Sequence, residues 1–240
     1  MTVMNWLFSF LFPPHCAGCG CEVQSEGTLC ESCYEQVLHI RKLKSNSLDL
    51  DEIWSLSEYS HGIRTIMHDI KFNGKKERAQ GAAPFLQEFS LMLSDLWQDF
   101  IPDYVIPVPI NSEKLRTRGY NQVELLFKEW IYMQQKRYWL NATKDEAENL
   151  NSSLKWQWLD CLNKSNTTTA MWELTKQDRI KNLSLAYSYK QENYKRLLRE
   201  KQILLVDDIY TTGATMNVIA KLIKESKTEK IKALTISSGA

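Results

Sequence analysis

Apolar positions along this chain follow two periods. From Ile53 to Tyr59 apolar and polar residues alternate, which predicts a half-buried strand. Ile63, Ile66, Met67 and Ile70 then recur at helical spacing, with Ser60 placed to cap that helix. A second helix is predicted from Pro84 to Trp97, with proline in the first turn, where its missing N–H has no helical acceptor to lose. Tyr104 to Pro107 reads as a short buried strand entering a proline-limited turn, and Val123 to about Met133 as another amphipathic helix. Ile203 to Val206, the helix-like run Met216 to Ser226, and Lys232 to Ile236 make a β-α-β unit. Strands alternating with helices predict an α/β fold, a parallel sheet flanked by helices, with ligand loops gathered at the strands' carboxyl ends.

Residues 1–40 do not share that pattern and form a module of their own. The charged, glycine-free stretch Arg41 to Asp51 reads as a linker, which leaves 52–240 as the α/β domain. With 240 residues, 43% of them hydrophobic and 25% charged, the chain can build one good core and a small appendage. A net charge of +1 offers no global footprint for nucleic acid or membrane. Trp6 to Phe12, WLFSFLF, is too short to span a bilayer and lacks a basic lead or a small-residue cleavage site. It reads as a hydrophobic hook that docks on the protein's own core. The expected location is the cytoplasm, where cysteines stay reduced and available to metal.

Five of the six cysteines lie between Cys16 and Cys33. Cys16 with Cys19, and Cys30 with Cys33, form two C-x2-C knuckles ten residues apart, a spacing that supplies four thiolates to a structural zinc. Cys21 competes with Cys19 as a ligand, and His15 is an alternative at the first position. Four thiolates leave no open coordination position, so the zinc's expected work is to fold a segment too short to build a core. Cys161, far from the others, is expected to be a small core residue.

The chemistry concentrates in Ile203 to Thr215, ILLVDDIYTTGAT. An aliphatic strand, two carboxylates and a glycine-centred threonine loop open directly into a helix, whose unpaired N–H groups favour a phosphate. Thr211, Thr212 and Thr215 add hydroxyl donors, and Gly213 permits close ligand approach. Carboxylates would repel a phosphate but can accept hydrogen bonds from sugar hydroxyls, so Asp207 and Asp208 point to a ribose 5-phosphate. The chain has no G-x-x-x-x-G-K-[ST] string, and Ile209 stands where an aspartyl-phosphate enzyme wants a second Asp. Adjacent strand residues face opposite ways, so both acids reach one ribose only if the strand ends at Asp207. A second constellation follows the Tyr104 strand: Pro109, Ile110 and Asn111 in a rigid turn, then Lys114, Arg116 and Arg118, mobile cations suited to an anionic leaving group such as pyrophosphate.

The T-T-G-A-T loop after Asp-Asp resembles the binding motif for phosphoribosyl pyrophosphate (PRPP) of type I phosphoribosyltransferases. The whole order resembles the ComF family of competence-associated proteins. It includes L-F-P-P-H-C-x-x-C at Leu11 to Cys19, Lys71-Phe72 with Gly74, V-I-P-V-P at Val105 to Pro109, R-x-R-G-Y-N-Q at Arg116 to Gln122, and Arg179 with Asn182. That resemblance implies a type I phosphoribosyltransferase-like domain behind a small zinc-binding module. The acid pair would hold the ribose hydroxyls, Tyr210, Thr211, Thr212, Gly213, Ala214 and Thr215 the 5-phosphate, and Arg116 and Arg118 with Mg2+ the pyrophosphate. It further implies a role in DNA uptake with a helicase-like protein partner, either as a phosphoribosyl transferase or as a non-catalytic PRPP- or nucleotide-binding protein. Two departures, Met171 in place of a glutamine and an expanded segment from about Tyr138 to Asn166, fall where an acceptor base would bind.

Three side-chain groups are ambiguous by sequence. Trp156 and Trp158, two apart, suit one buried face of a strand more than base stacking. His61 and His68 read as solvated or satisfied helix positions. Lys71, Lys75, Lys76 and Arg78 can offer a weak face to single-stranded DNA, or form an ordinary solvated helix end.

Overall fold

The computed structural model describes residues 13–25, 27–45, 47–141, 155–165 and 185–239. The Trp6 to Phe12 hook, Met171, Arg179 and Asn182 lie outside them. The first helix, α1 (Glu31–Val37), leads directly into β1 (Leu38–Lys42), which pairs antiparallel with β2 (Glu52–Glu58). Next come α2 (His61–Phe72), a 3-10 helix (Lys76–Ala82) and α3 (Ala83–Leu96). After them run β3 (Tyr104–Pro107), α4 (Ser112–Arg118), α5 (Gln122–Asn141) and the short β4 (Gln157–Trp158). A two-stranded sheet, β5 (Leu162–Lys164) with β6 (Tyr187–Tyr189), precedes α6 (Asn193–Leu197), β7 (Gln202–Tyr210), α7 (Ala214–Lys224) and β8 (Lys230–Ser238).

The main sheet runs β1-β2-β8-β7-β3-β4, and every pairing beyond β1 with β2 is parallel. Ile203, Leu204, Leu205 and Val206 are fully buried, as the interior strand of a doubly covered parallel sheet must be. Leu204 and Val206 face a cluster built by α2, α3 and α5 with Ile63, Phe85 and Phe127. Ile203 and Leu205 face the opposite cluster, where α7 contributes Ile219 and Ile223. The mixed α/β fold with a mostly parallel sheet is the one expected from the periodicity, and the ends of β2, β8, β7 and β3 share one edge as predicted.

Several elements run further than their apolar periodicity. Helix α5 continues past Met133 to Asn141 because Gln134, a polar position, is buried and its amide donates to Ser90 Oγ at 3.0 Å. Strand β7 runs on through Asp207 and Asp208 to Tyr210, so it does not end at the acid pair. Arg41 and Lys42, at the start of the stretch read as a linker, belong to edge strand β1. Trp156 is buried edge-on against Trp130 at 5.7 Å, and Trp158 packs on the same cluster, so this pair serves the core. Cys161 is wholly buried in the second cluster, and burial pushes its thiol up to about 12.

The cysteine-bearing segment docks on this scaffold through Ala17, Leu29 and Tyr34, with the Tyr34 ring 4.7 Å from that of Phe85. The approach is so close that a Cβ added at Gly81 would sit 2.3 Å from the carbonyl oxygen of Gly27. Gly81→Ala is therefore expected to destabilise the fold by about 1–3 kcal/mol, the usual penalty for overpacking. Urea denaturation checks this; an unchanged midpoint would show that the segment is not seated there.

Candidate functional site

The cysteine knuckles converge. The sulfurs of Cys16, Cys19, Cys30 and Cys33 all lie within 4.8 Å of one another, and Cys19 Sγ is 3.6 Å from Cys30 Sγ. Four Zn–S bonds in a tetrahedron demand sulfur separations of about 3.8 Å, so the donor set fits zinc. Cys16 Sγ accepts N–H bonds from Gly18 and Cys30, each at 3.3 Å, the pattern a thiolate wants. Burial works against ionisation here, but backbone N–H groups of Cys19, Cys30 and Gly18 outweigh it and bring the Cys16 thiol down to about 6. Cys21 and His15 both stand outside the four, and the His15 backbone forms an isolated antiparallel β-bridge with Glu22.

At the carboxyl edge of the sheet, β7 delivers Asp207 and Asp208. Asp208 follows Leu204 and Val206 onto the α2 side of the sheet, where its side chain is buried and Oδ2 lies 2.7 Å from Lys71 Nζ. The pleat sends Asp207 the other way, and its Oδ1 accepts the N–H of Asp208 at 2.8 Å. Burial first, and the Asp208 carboxylate second, push Asp207 well above the usual carboxylate range. Two adjacent acids within a buried strand are an electrostatic liability, and Lys71 is a cation that meets it.

After Tyr210 the chain turns at Gly213, in the left-handed region at φ 74°, and enters α7. A Cβ there would lie 2.3 Å from Tyr210 Oη, so this glycine is required both by its backbone and by the Tyr210 ring beneath the loop. Thr211 and Thr212 are exposed and Thr215 half-buried, at the positive end of α7. Tyr210 O also accepts the N–H of Gly239 at 3.1 Å, which ties the loop to the end of β8.

Strand β3 ends alongside, and Val108 N–H extends the ladder by donating to Val206 O at 2.9 Å. Pro109, Ile110 and Asn111 follow, but the cations after them stand on a helix rather than a mobile loop. Asn111 caps α4 by accepting the Lys114 N–H at 2.8 Å, and Gly119 ends it. One turn apart, Lys114 and Arg118 share a face. With Lys71, Phe72, Gly74 and Thr117 they line a cleft of 470 Å³. Arg116 is exposed and is not among those lining residues, so the two arginines are divided. Asn121 closes the arrangement: its Nδ2 donates to Val108 O at 3.3 Å and its Oδ1 accepts the Val123 N–H at 3.0 Å, capping α5.

The basic run after α2 is partly tied down, although Lys76 stays exposed. Buried Asp69 accepts from Asn73 Nδ2 at 2.6 Å and Lys75 Nζ at 3.2 Å and pairs with Arg78 Nε at 2.7 Å, while Lys76 lies 4.8 Å from the Tyr120 ring centre. Tyr120 OH in turn donates to Ile70 O at 2.5 Å, satisfying a carbonyl in the last turn of α2. These contacts hold the last turn of α2, which carries Lys71. Its tie to Asp208 has no signal in either local motif; only the juxtaposition of two distant motifs reveals it. His61 and His68 are exposed, as expected.

A double zinc ribbon domain matches residues 7–43, and a phosphoribosyl transferase domain matches residues 164–239. Competence protein F of Haemophilus influenzae is 28% identical over 223 residues, covering 91% of this chain and 82% of that protein. The chain is thus similar to competence protein F along most of its length and carries both matched domains in order. The DNA utilization protein YhgH of Salmonella typhimurium is 24% identical over 212 residues, 87% of this chain and 83% of its own. Competence protein ComFC of Streptococcus pneumoniae is 26% identical over 153 residues, 62% of this chain and 54% of its own. No described helix is long and apolar enough to cross a membrane.

Two outcomes follow from this geometry. Metal analysis should find about one zinc per chain, lost in Cys30→Ser with Cys33→Ser and retained in Cys21→Ser; zinc lost from Cys21→Ser would place that thiol among the ligands. Burial alone would raise Asp69, but Asn73, Lys75 and Arg78 together hold it below the ordinary carboxylate range. Its ionised form therefore stabilises the fold above its unfolded pKa, and that contribution fades as pH falls through the lowered folded value. Asp69→Asn should be destabilised near neutrality, with the gap to wild type closing in acid, as read by thermal melts across pH; a constant gap would contradict the ionic role.

Proposed function

We propose that the chain binds PRPP with Mg2+ across the carboxyl edge of its sheet and acts in DNA uptake or utilisation. The observation that carries this reading is the convergence on one edge of the acid pair, the threonine loop at the start of α7, and the Lys71, Lys114 and Arg118 cleft. The loop N–H groups and hydroxyls suit the 5-phosphate and the cationic cleft suits the pyrophosphate; because β7 runs on through both acids and turns them to opposite sides, one acid of the pair rather than both suits the ribose hydroxyls. Mg2+, when bound, would supply further neutralisation of pyrophosphate charge, and the carboxylate oxygens of the acid pair are the hard donors it prefers. The relatives' names, competence protein and DNA utilization protein, support the cellular role.

A transferase would lose pyrophosphate from the anomeric carbon through a transition state with oxocarbenium character. Lys71, Lys114 and Arg118 would steady the departing charge while one acid of the pair holds the sugar. Binding without transfer is the second reading, in which the zinc module docks a helicase-like partner. It is favoured by the cleft lining, which among the described residues holds cations, Phe72, Gly74 and Thr117 rather than a carboxylate or imidazole to take a proton from an acceptor. Pyrophosphate release on adding candidate bases separates the two. Replacing Asp207 and Asp208 together by Asn should weaken binding of PRPP with Mg2+ at least about tenfold, equivalent to about 1.4 kcal/mol, with the fold retained. Unchanged calorimetric affinity would sink the ribose assignment.

A further inference from the structure

Lys71 belongs to two sites at once. Its ammonium is 2.7 Å from Asp208 Oδ2, while the same side chain lines the cleft with Lys114 and Arg118. The Asp208 side chain is only 5% exposed, and its Oδ2 has no hydrogen-bond partner among the described residues beyond this ion pair. A buried carboxylate beside a second one needs a cation, and Lys71 supplies it. The cleft it lines also holds two like charges, Lys114 and Arg118, whose repulsion favours the pairing with Asp208. An anion entering the cleft would cancel that repulsion and offer the ammonium an alternative partner. The stem is long and flexible enough for the exchange, and a lysine is a compact point charge with no fixed fork geometry to lose.

We propose that Lys71 is an exchangeable counter-ion of the acid pair. In the free protein it shields Asp208 from cations, and a phosphorylated ligand in the cleft draws it away, so the acids take a divalent cation only together with that ligand. This rests on the reading that the edge holds a metal-bearing phosphosugar, and it makes cation and phosphosugar binding mutually reinforcing. Lys71 is thus a positioning residue whose charge decides when the acids are available.

The test uses zinc-loaded, full-length chain and Mn2+ alone, counted by electron paramagnetic resonance without any phosphosugar. Wild type and Lys71→Arg, which keeps the charge, should bind Mn2+ weakly. Lys71→Met should bind it at least about tenfold more tightly, and adding Asp208→Asn should abolish that gain. Lys71→Gln, whose amide can still donate to Asp208, serves if the methionine variant does not fold. Equal Mn2+ affinity in wild type and either neutral variant overturns the proposal, as does a gain that survives Asp208→Asn. If wild type takes PRPP with Mg2+ while the neutral variants show no gain, the counter-ion role falls and the phosphosugar site stands. If the variants gain Mn2+ while wild type takes no PRPP, competition between Lys71 and the cation stands and the PRPP assignment falls.

Discussion

Everything at the proposed site hangs on β7 being buried on both faces. Four aliphatic side chains with no exposure hold the strand between β8 and β3, and parallel pairing on both sides aligns their carboxyl ends. Burying each such side chain is worth about 1.5–3 kcal/mol, which makes the strand a firm platform for two adjacent acids that no isolated loop would hold so close. The same pairing places the β3 turn, and so α4 with its cations, beside the acid pair.

The remaining elements counter the charge that this platform concentrates. Lys71 answers Asp208 from the end of α2, and Tyr120 and the Asp69 network fix that end of the helix. The other end of α2 meets the cysteine segment, where a Cβ on Gly62 would lie 2.9 Å from the Gly18 N. One helix therefore spans from the four-cysteine centre to the acid pair. A structural zinc, by ordering Gly18, would contribute to where Lys71 stands without taking part in any chemistry.

Much of this was legible in the chain itself. The aliphatic run before Asp207, the helical spacing from Ile63 to Ile70 and the paired C-x2-C knuckles each reflect local constraints, and the structure realises them. What escaped were features set by contacts between distant segments. Gln134 prolongs α5 because Ser90, on another helix, satisfies its amide. The cations after Asn111 stand on a capped helix, which separates Arg118 from Arg116. Lys71 was visible as part of a motif, but its partner lies far along the chain, and periodicity carries no information about that pairing.

The most direct measurement is calorimetric titration of wild-type, zinc-loaded chain with PRPP, with and without Mg2+, against ribose 5-phosphate as control. A phosphosugar site of the proposed kind predicts saturable binding of PRPP that strengthens with Mg2+ and exceeds that of ribose 5-phosphate, which lacks the pyrophosphate. Absence of PRPP binding in both conditions, or equal affinity for the two ligands regardless of Mg2+, would contradict it.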